Sequence, residues 1–232
     1  MAKPNLKNNI MYSKRRVSGR SKKKIFLILS EGTETEPNYF EAFRRIAHAN
    51  GTADITIKGL GAVGITVVTI AKKLKEQGNY GDDEVWCVFD RDLKRENNNQ
   101  QNFNAAIRLA IENQLKLAIS NDAFELWYLL HYEYYQSETH RSDYEKMLSI
   151  RLGEKYEKNS ETMYEKLKDK QSNAIKFAKK LWLSHCNLHG IDDPNNLTIE
   201  QRIIIHNINP STTVYQLVEK LSEVIFPKPQ KE

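Results

Sequence analysis

Val85-Trp86-Cys87-Val88-Phe89-Asp90-Arg91-Asp92 is the stretch that decides the fold. Five apolar, β-favouring residues run without a break and stop at two aspartates flanking an arginine. A run that is apolar at every position suits a strand buried on both faces of a parallel sheet. Upstream, Ile25-Phe26-Leu27-Ile28-Leu29 repeats the pattern and gives way to Glu31-Gly32-Thr33-Glu34-Thr35-Glu36-Pro37, a turn whose proline suits the first position of a helix.

Between these two runs strand and helix signals alternate. Tyr39, Phe40, Phe43, Ile46 and Ala47 recur at helical spacing, Ile55-Thr56-Ile57 alternates as a weaker strand, and Ile65 to Gln77 is amphipathic. Beyond Asp92, a polar loop from Asn97 to Asn102 precedes a helix carrying Phe103, Ala106, Ile107, Ala110 and Ile111, and Leu115–Ile119 reads as a strand. Alternation of this kind predicts an α/β domain over residues 25–121, a mostly parallel sheet flanked by helices.

Residues 122–232 read as a mainly helical C-terminal extension: Phe124–Tyr135, Tyr144–Leu152, Glu161–Cys186 and Val214–Phe226. Val214, Leu217, Val218, Leu221 and Ile225 form a core-facing stripe, with Asn209-Pro210-Ser211 starting the last helix. Ile203-Ile204-Ile205 fits either a short strand or a helix end. The extension is expected to offer a docking surface, with residues 207–232 removable from a sheet that stays folded.

Charge is distributed unevenly. Nine of the 35 lysines and arginines fall in residues 1–24, where there is no acid, leaving 26 against 30 acids in the remainder. A basic N-terminal arm on a mildly acidic body suits a polyanionic partner approached through phosphates, which makes Arg15, Arg16, Arg20, Lys22, Lys23 and Lys24 candidates for nucleic-acid contact; a solvated tail is the plainer reading. No apolar run reaches the length of a membrane span, and the two distant cysteines, Cys87 and Cys186, fit a reducing cytoplasm.

The chemistry-bearing residues stand at strand ends. Ligands of open α/β sheets bind where the C-terminal ends of neighbouring strands open into a crevice. Glu31 follows the first strand, and Asp90 and Asp92 end the Val85–Phe89 strand. Clustered carboxylate oxygens suit Mg²⁺, with Mn²⁺ as a substitute, and leave positions for phosphate oxygens. Such an ion orients phosphate, assists deprotonation of water and stabilises a leaving oxygen. Taken singly, a strand-end aspartate more often caps a turn.

These pieces resemble a known family. Ile25–Gly32, Asp90-Arg91-Asp92 and the intervening alternation are similar to the Toprim fold of primases, topoisomerases and overcoming-lysogenization-type nucleases. More closely, the chain resembles the RloB family. The likeness rests on the basic arm running into Lys23-Lys24-Ile25-Phe26-Leu27-Ile28, on Glu31-Gly32 with Thr35-Glu36-Pro37-Asn38-Tyr39-Phe40, and on Phe89-Asp90-Arg91-Asp92. It continues through Ser120-Asn121, Phe124-Glu125-Leu126-Trp127-Tyr128-Leu129-Leu130-His131, Asn209-Pro210-Ser211-Thr212 and Leu217-Val218. The resemblance implies a prokaryotic protein encoded near restriction or antiphage-defence genes. It also implies a companion ATPase of the ABC/AAA type and a Mg²⁺-dependent endonuclease role in which Glu31, Asp90 and Asp92 are the catalytic metal ligands. Glu36 then sits where related nucleases often place another acid, and alternatively favours the N-terminus of a helix. Glu125 is either a buried structural partner or an extra ligand, His131 reads as structural, and Arg91 contacts phosphate or pairs with its neighbours. A non-catalytic regulatory or adaptor subunit that binds metal or nucleotide is the alternative.

Four weaker signals compete. Gly59-Leu60-Gly61-Ala62-Val63-Gly64 matches G-x-G-x-x-G, but the strand before it is polar and Asp90 lies too far on for a ribose-binding acid. Asp90-Arg91-Asp92 is similar to the phosphatase motif of haloacid-dehalogenase-like enzymes, yet stands on a later strand. His185, Cys186 and His189 form a partial zinc set without a second pair. Tyr132, Tyr134, Tyr135 and Tyr144 suit base stacking, and helix packing is their plainer role.

Overall fold

A computed structural model describes residues 23–79, 84–92 and 99–227. Five strands form one sheet in the order β2-β1-β3-β4-β5: β1 (Lys24–Ser30), β2 (Ala53–Gly59), β3 (Glu84–Asp90), β4 (Lys116–Asn121) and β5 (Ser211–Thr212). The first four are mutually parallel, and β5 joins the edge of β4 antiparallel, with Ser120 opposite Thr212. The α/β architecture with C-terminal helices is therefore as the sequence predicts.

The unbroken apolar runs have the anticipated cause. Phe26, Ile28, Trp86 and Val88 face one layer, while Leu27, Leu29, Val85, Cys87 and Phe89 face the other. The first layer holds Tyr39, Phe40 and Phe43 of α1 (Thr35–Asn50), and the second holds α2 (Gly64–Leu74) and α3 (Gln100–Glu112) through Val67, Val68, Phe103 and Ile107. Because α1 and α2 lie on opposite faces, the chain leaves β1 in one direction and returns past it to β3. The C-terminal ends of β1 and β3 thus flank the point where the strand order reverses, where such sheets open a crevice.

The extension is built differently from its expected outline. It comprises α4 (Glu125–Leu129), α5 (Arg141–Leu152), α6 (Met163–Leu167), α7 (Gln171–Leu188), α8 (Ile199–His206) and α9 (Val214–Ile225). The predicted Phe124–Tyr135 helix stops after its first turns. Its remaining tyrosines have modest helix propensity and are drawn into separate contacts, Tyr134 on Phe177 and Tyr135 on Tyr144. Ile203–Ile205 belongs to a helix, whose start is fixed by a reciprocal capping box between Thr198 and Gln201. Asn209-Pro210 precedes not a helix but β5, and α9 begins at Val214. The apolar stripe of α9 is wholly buried in the layer that covers Phe26 and Ile28. Residues 211–225 therefore supply a strand and a core helix to the sheet, which counts against the expectation that 207–232 can be removed without harm to it.

Gly59 and Gly64 have packing roles. A Cβ on Gly59 would come within 2.6 Å of the Gly32 carbonyl oxygen, and one on Gly64 within 2.6 Å of the Phe89 ring. The glycine motif lets the β2–α2 loop lie against the turn after β1, where Leu60 N–H donates to the Ser30 carbonyl at 2.9 Å.

Candidate metal centre

Each acid at the crevice is placed by backbone geometry. Glu31 follows β1, and its N–H donates to the Val88 carbonyl at 2.9 Å, fixing the end of β1 beside the end of β3. Glu36, one residue into α1, turns back so that its Oε1 accepts from Gly32 N–H at 3.1 Å. A side chain at Gly32 would collide with that carboxylate, which accounts for the glycine. Asp90 closes β3, with Oδ2 accepting from Phe124 N–H at 3.2 Å. Glu125, the first residue of α4, accepts from the Tyr156 hydroxyl at 3.0 Å.

Together with Asp92 these residues line one cavity of about 490 Å³, whose walls come from both halves of the chain. Seven of its lining residues are acids, the other two being Glu34 and Glu145, against the cations Arg141 and Lys158. Glu31, Glu36 and Glu125 are each only 5% exposed. Burial pushes the Asp90 carboxyl well above the usual carboxylate range, and the charges of Glu36, Glu31 and Glu125 push it further, with Arg141 opposing. Burial likewise raises Glu36, while the N–H groups that it accepts from pull the other way.

The three sequence-predicted ligands line the same cavity but differ in their partners. Glu31 and Asp90 share the crevice, and their electrostatic partners are Glu36 and Glu125. Asp92 instead binds Arg141, whose Nη1 lies 2.7 Å from its Oδ2. Arg91 is held away from the crevice by side-chain amides: its Nε donates to Asn207 Oδ1 at 2.9 Å and its other edge meets Gln100. His131 is a core residue. It sits edge-on to Trp127, bonds that residue's carbonyl through Nδ1 at 2.9 Å, and has its pKa pushed down by burial to about 4. His185 is engaged with the Pro210 carbonyl, and Cys186 packs with Trp182. Arg15, Arg16, Arg20 and Lys22 lie outside the described residues. Lys23 and Lys24 pair with Asp54 and Glu84, at the end of the sheet opposite the crevice.

Sequence reasoning missed Arg141, Asp122, Tyr156 and the Lys158-Asn159 turn. No local signal marks them, because the fold carries them in from the extension. Asn159 reaches α1 through two contacts, its Oδ1 accepting from Thr35 Oγ1 and its carbonyl from Asn38 Nδ2, both at 2.7 Å. That clamp sets Lys158 on the cavity wall.

Among the described residues, no group of three or more His, Cys, Asp or Glu side chains is gathered closely enough to hold a metal ion as placed. The donors nevertheless suit a hard divalent cation: they are carboxylate oxygens, largely buried, and charged against one another in a way that a cation would relieve. The fit is one of chemistry and location, and the carboxylates would have to be drawn inward to form a coordination shell.

The fold and crevice define a doubly wound α/β protein with an acid-lined cavity at its strand-order reversal. Residues 26–221 match the model of the RloB-like protein family, and the chain belongs to that family. Comparison with curated proteins and with solved structures finds no significant match to either.

Proposed function

We propose that this RloB-like protein is a Mg²⁺-dependent endonuclease of Toprim type, acting on nucleic acid in antiphage defence beside a companion ABC/AAA-type ATPase. One observation carries the reading: Glu31, Glu36, Asp90 and Glu125, from three separate segments, converge on one cavity at the C-terminal strand ends. Burying several carboxylates together costs stability unless a ligand offsets their repulsion, and pockets of this kind are where function concentrates.

In this reading Glu31, Asp90 and Glu36 would hold the ion, with Glu125 in support, and Asp92 would add a further carboxylate if Arg141 released it. A bound divalent cation supplies charge stabilisation at the phosphate and lowers the pKa of a coordinated water. The protein's own groups do the positioning. Gly32 N–H orients Glu36, Phe124 N–H orients Asp90, and the Tyr156 hydroxyl orients Glu125. Arg141 and Lys158 supply the positive charge that a phosphodiester needs to approach an acidic wall. The basic arm would contribute further phosphate contacts.

The alternative is an adaptor that binds a cation or nucleotide without cleavage. The Arg141–Asp92 pair favours it, since an internal cation already satisfies one predicted ligand. The test uses purified protein, alone and with the ATPase encoded nearby, on labelled DNA and RNA in Mg²⁺, Mn²⁺ or EDTA. Divalent-dependent cleavage lost in Asp90→Ala supports the nuclease. Assembly with the ATPase without cleavage under any condition supports the adaptor.

A further inference from the structure

Asp92 is held by a cation that belongs to the protein. Arg141 opens α5, 49 positions after Asp92, and its guanidinium lies between two aspartates. Its Nη1 is 2.7 Å from Asp92 Oδ2. Its Nη2 donates to the Asp122 carbonyl at 2.6 Å, and its backbone N–H donates to Asp122 Oδ2 at 3.2 Å. Asp122 thus anchors both ends of the residue and aims the guanidinium at Asp92. The Asp92 and Arg141 side chains are only 17% and 30% exposed, so solvent screens the pair incompletely.

We propose that Arg141 sets how tightly the crevice takes a divalent cation, because guanidinium and cation compete for Asp92; this rests on the reading of the crevice as a metal centre. An arginine keeps its charge at any working pH, so it cannot yield the site by losing a proton. A divalent ion on the same oxygen brings two further positive charges beside it. Either the ion binds weakly, or Arg141 withdraws onto Asp122, which already holds its Nη2 and backbone. Arg141 is accordingly a positioning residue: it acts on the cation through Asp92.

The test is Mn²⁺ binding to the full chain, followed by the paramagnetic resonance of free Mn²⁺, in wild type, Arg141→Gln, Arg141→Ala and Arg141→Lys. The two neutral variants should bind Mn²⁺ about ten-fold more tightly, the size of a one-unit neighbouring-charge effect. Arg141→Lys, which keeps the charge, should stay near wild type. Thermal melting without metal reports whether each variant folds, and the second neutral variant covers failure of the first. Equal or weaker binding by the folded neutral variants, with wild type still binding, would overturn the proposal and leave the metal centre standing. Absence of Mn²⁺ binding in every protein would overturn both.

Discussion

The Phe124 N–H donates to Asp90 Oδ2 at 3.2 Å, joining the end of β3 to the start of the helical extension. The residue that ends the strand is therefore oriented by the segment that brings Glu125, and the two halves of the chain build one site. Replacing the charge while keeping the acceptor isolates its cost. Asp90→Asn retains an oxygen for Phe124 N–H but removes a carboxylate held well above its usual pKa by burial and by its neighbours. Without metal, near neutral pH, the variant should unfold at higher denaturant concentration, with a gain on the order of 1 kcal/mol. Chemical denaturation in EDTA measures it, and a loss of stability would show that the charge is compensated in some other way.

Glu125 owes its orientation to Tyr156. Tyr156→Phe removes the donor and leaves the buried carboxylate with one partner fewer, at a cost of about 1–3 kcal/mol. If Glu125 supports the ion, divalent-dependent cleavage should fall more steeply than stability does. Unchanged cleavage would confine Glu125 to a structural role.

Two buried histidines set an acid limit on stability. Burial lowers His131 to about 4 and His206 to about 3, against about 6.5 in the unfolded chain. Below pH 6.5 the unfolded chain takes up protons that the folded one refuses, so stability falls as pH drops. The loss continues until about pH 4 for His131 and about pH 3 for His206, with a combined slope of up to about 2.7 kcal/mol per pH unit between roughly pH 5.5 and 4. Denaturation midpoints from pH 7 to 4 should show it, with a smaller slope in His131→Gln.

Much of this architecture was legible in the sequence, and the reason is physical. A strand covered on both faces must be apolar at every position, so Ile25–Leu29 and Val85–Phe89 announced a helix-covered parallel sheet, and their ends located Glu31 and Asp90. Phe124–Tyr135 misled because its apolar residues serve one short helix and then several separate aromatic contacts, which periodicity cannot distinguish. Ser211-Thr212 gave no strand signal, since two residues carry no pattern. Arg141 and Tyr156 were invisible for a different reason: a residue delivered to a site by tertiary folding leaves no mark in its own neighbourhood.

The last helix offers a test of how the extension is integrated. Removing residues 207–232 deletes β5 and the buried stripe of α9 and exposes the layer over Phe26 and Ile28. The truncated chain should lose cooperative thermal unfolding altogether. A truncated protein that still melts cooperatively would show that the sheet is stable without the cover of α9.

The basic arm should be separable from the chemistry. Lys23 and Lys24 are engaged with Asp54 and Glu84 at the far end of the sheet, so deleting residues 1–20 should leave the fold and crevice intact. Each lost phosphate contact should reduce the slope of log K against log[salt] by about 0.9 on duplex DNA or about 0.7 on a single strand. An unchanged slope would make the arm a passive tail.

The central claim is that the convergent carboxylates form a divalent-dependent cleavage site. Its most direct measurement compares wild type, Asp90→Ala and Glu31→Gln on labelled DNA and RNA, with the proposed companion ATPase present, in Mg²⁺ and in EDTA. The account predicts cleavage by the wild type in Mg²⁺ alone and none by either variant, all three proteins remaining folded. Cleavage that persists in both variants, or that EDTA leaves untouched, would contradict it.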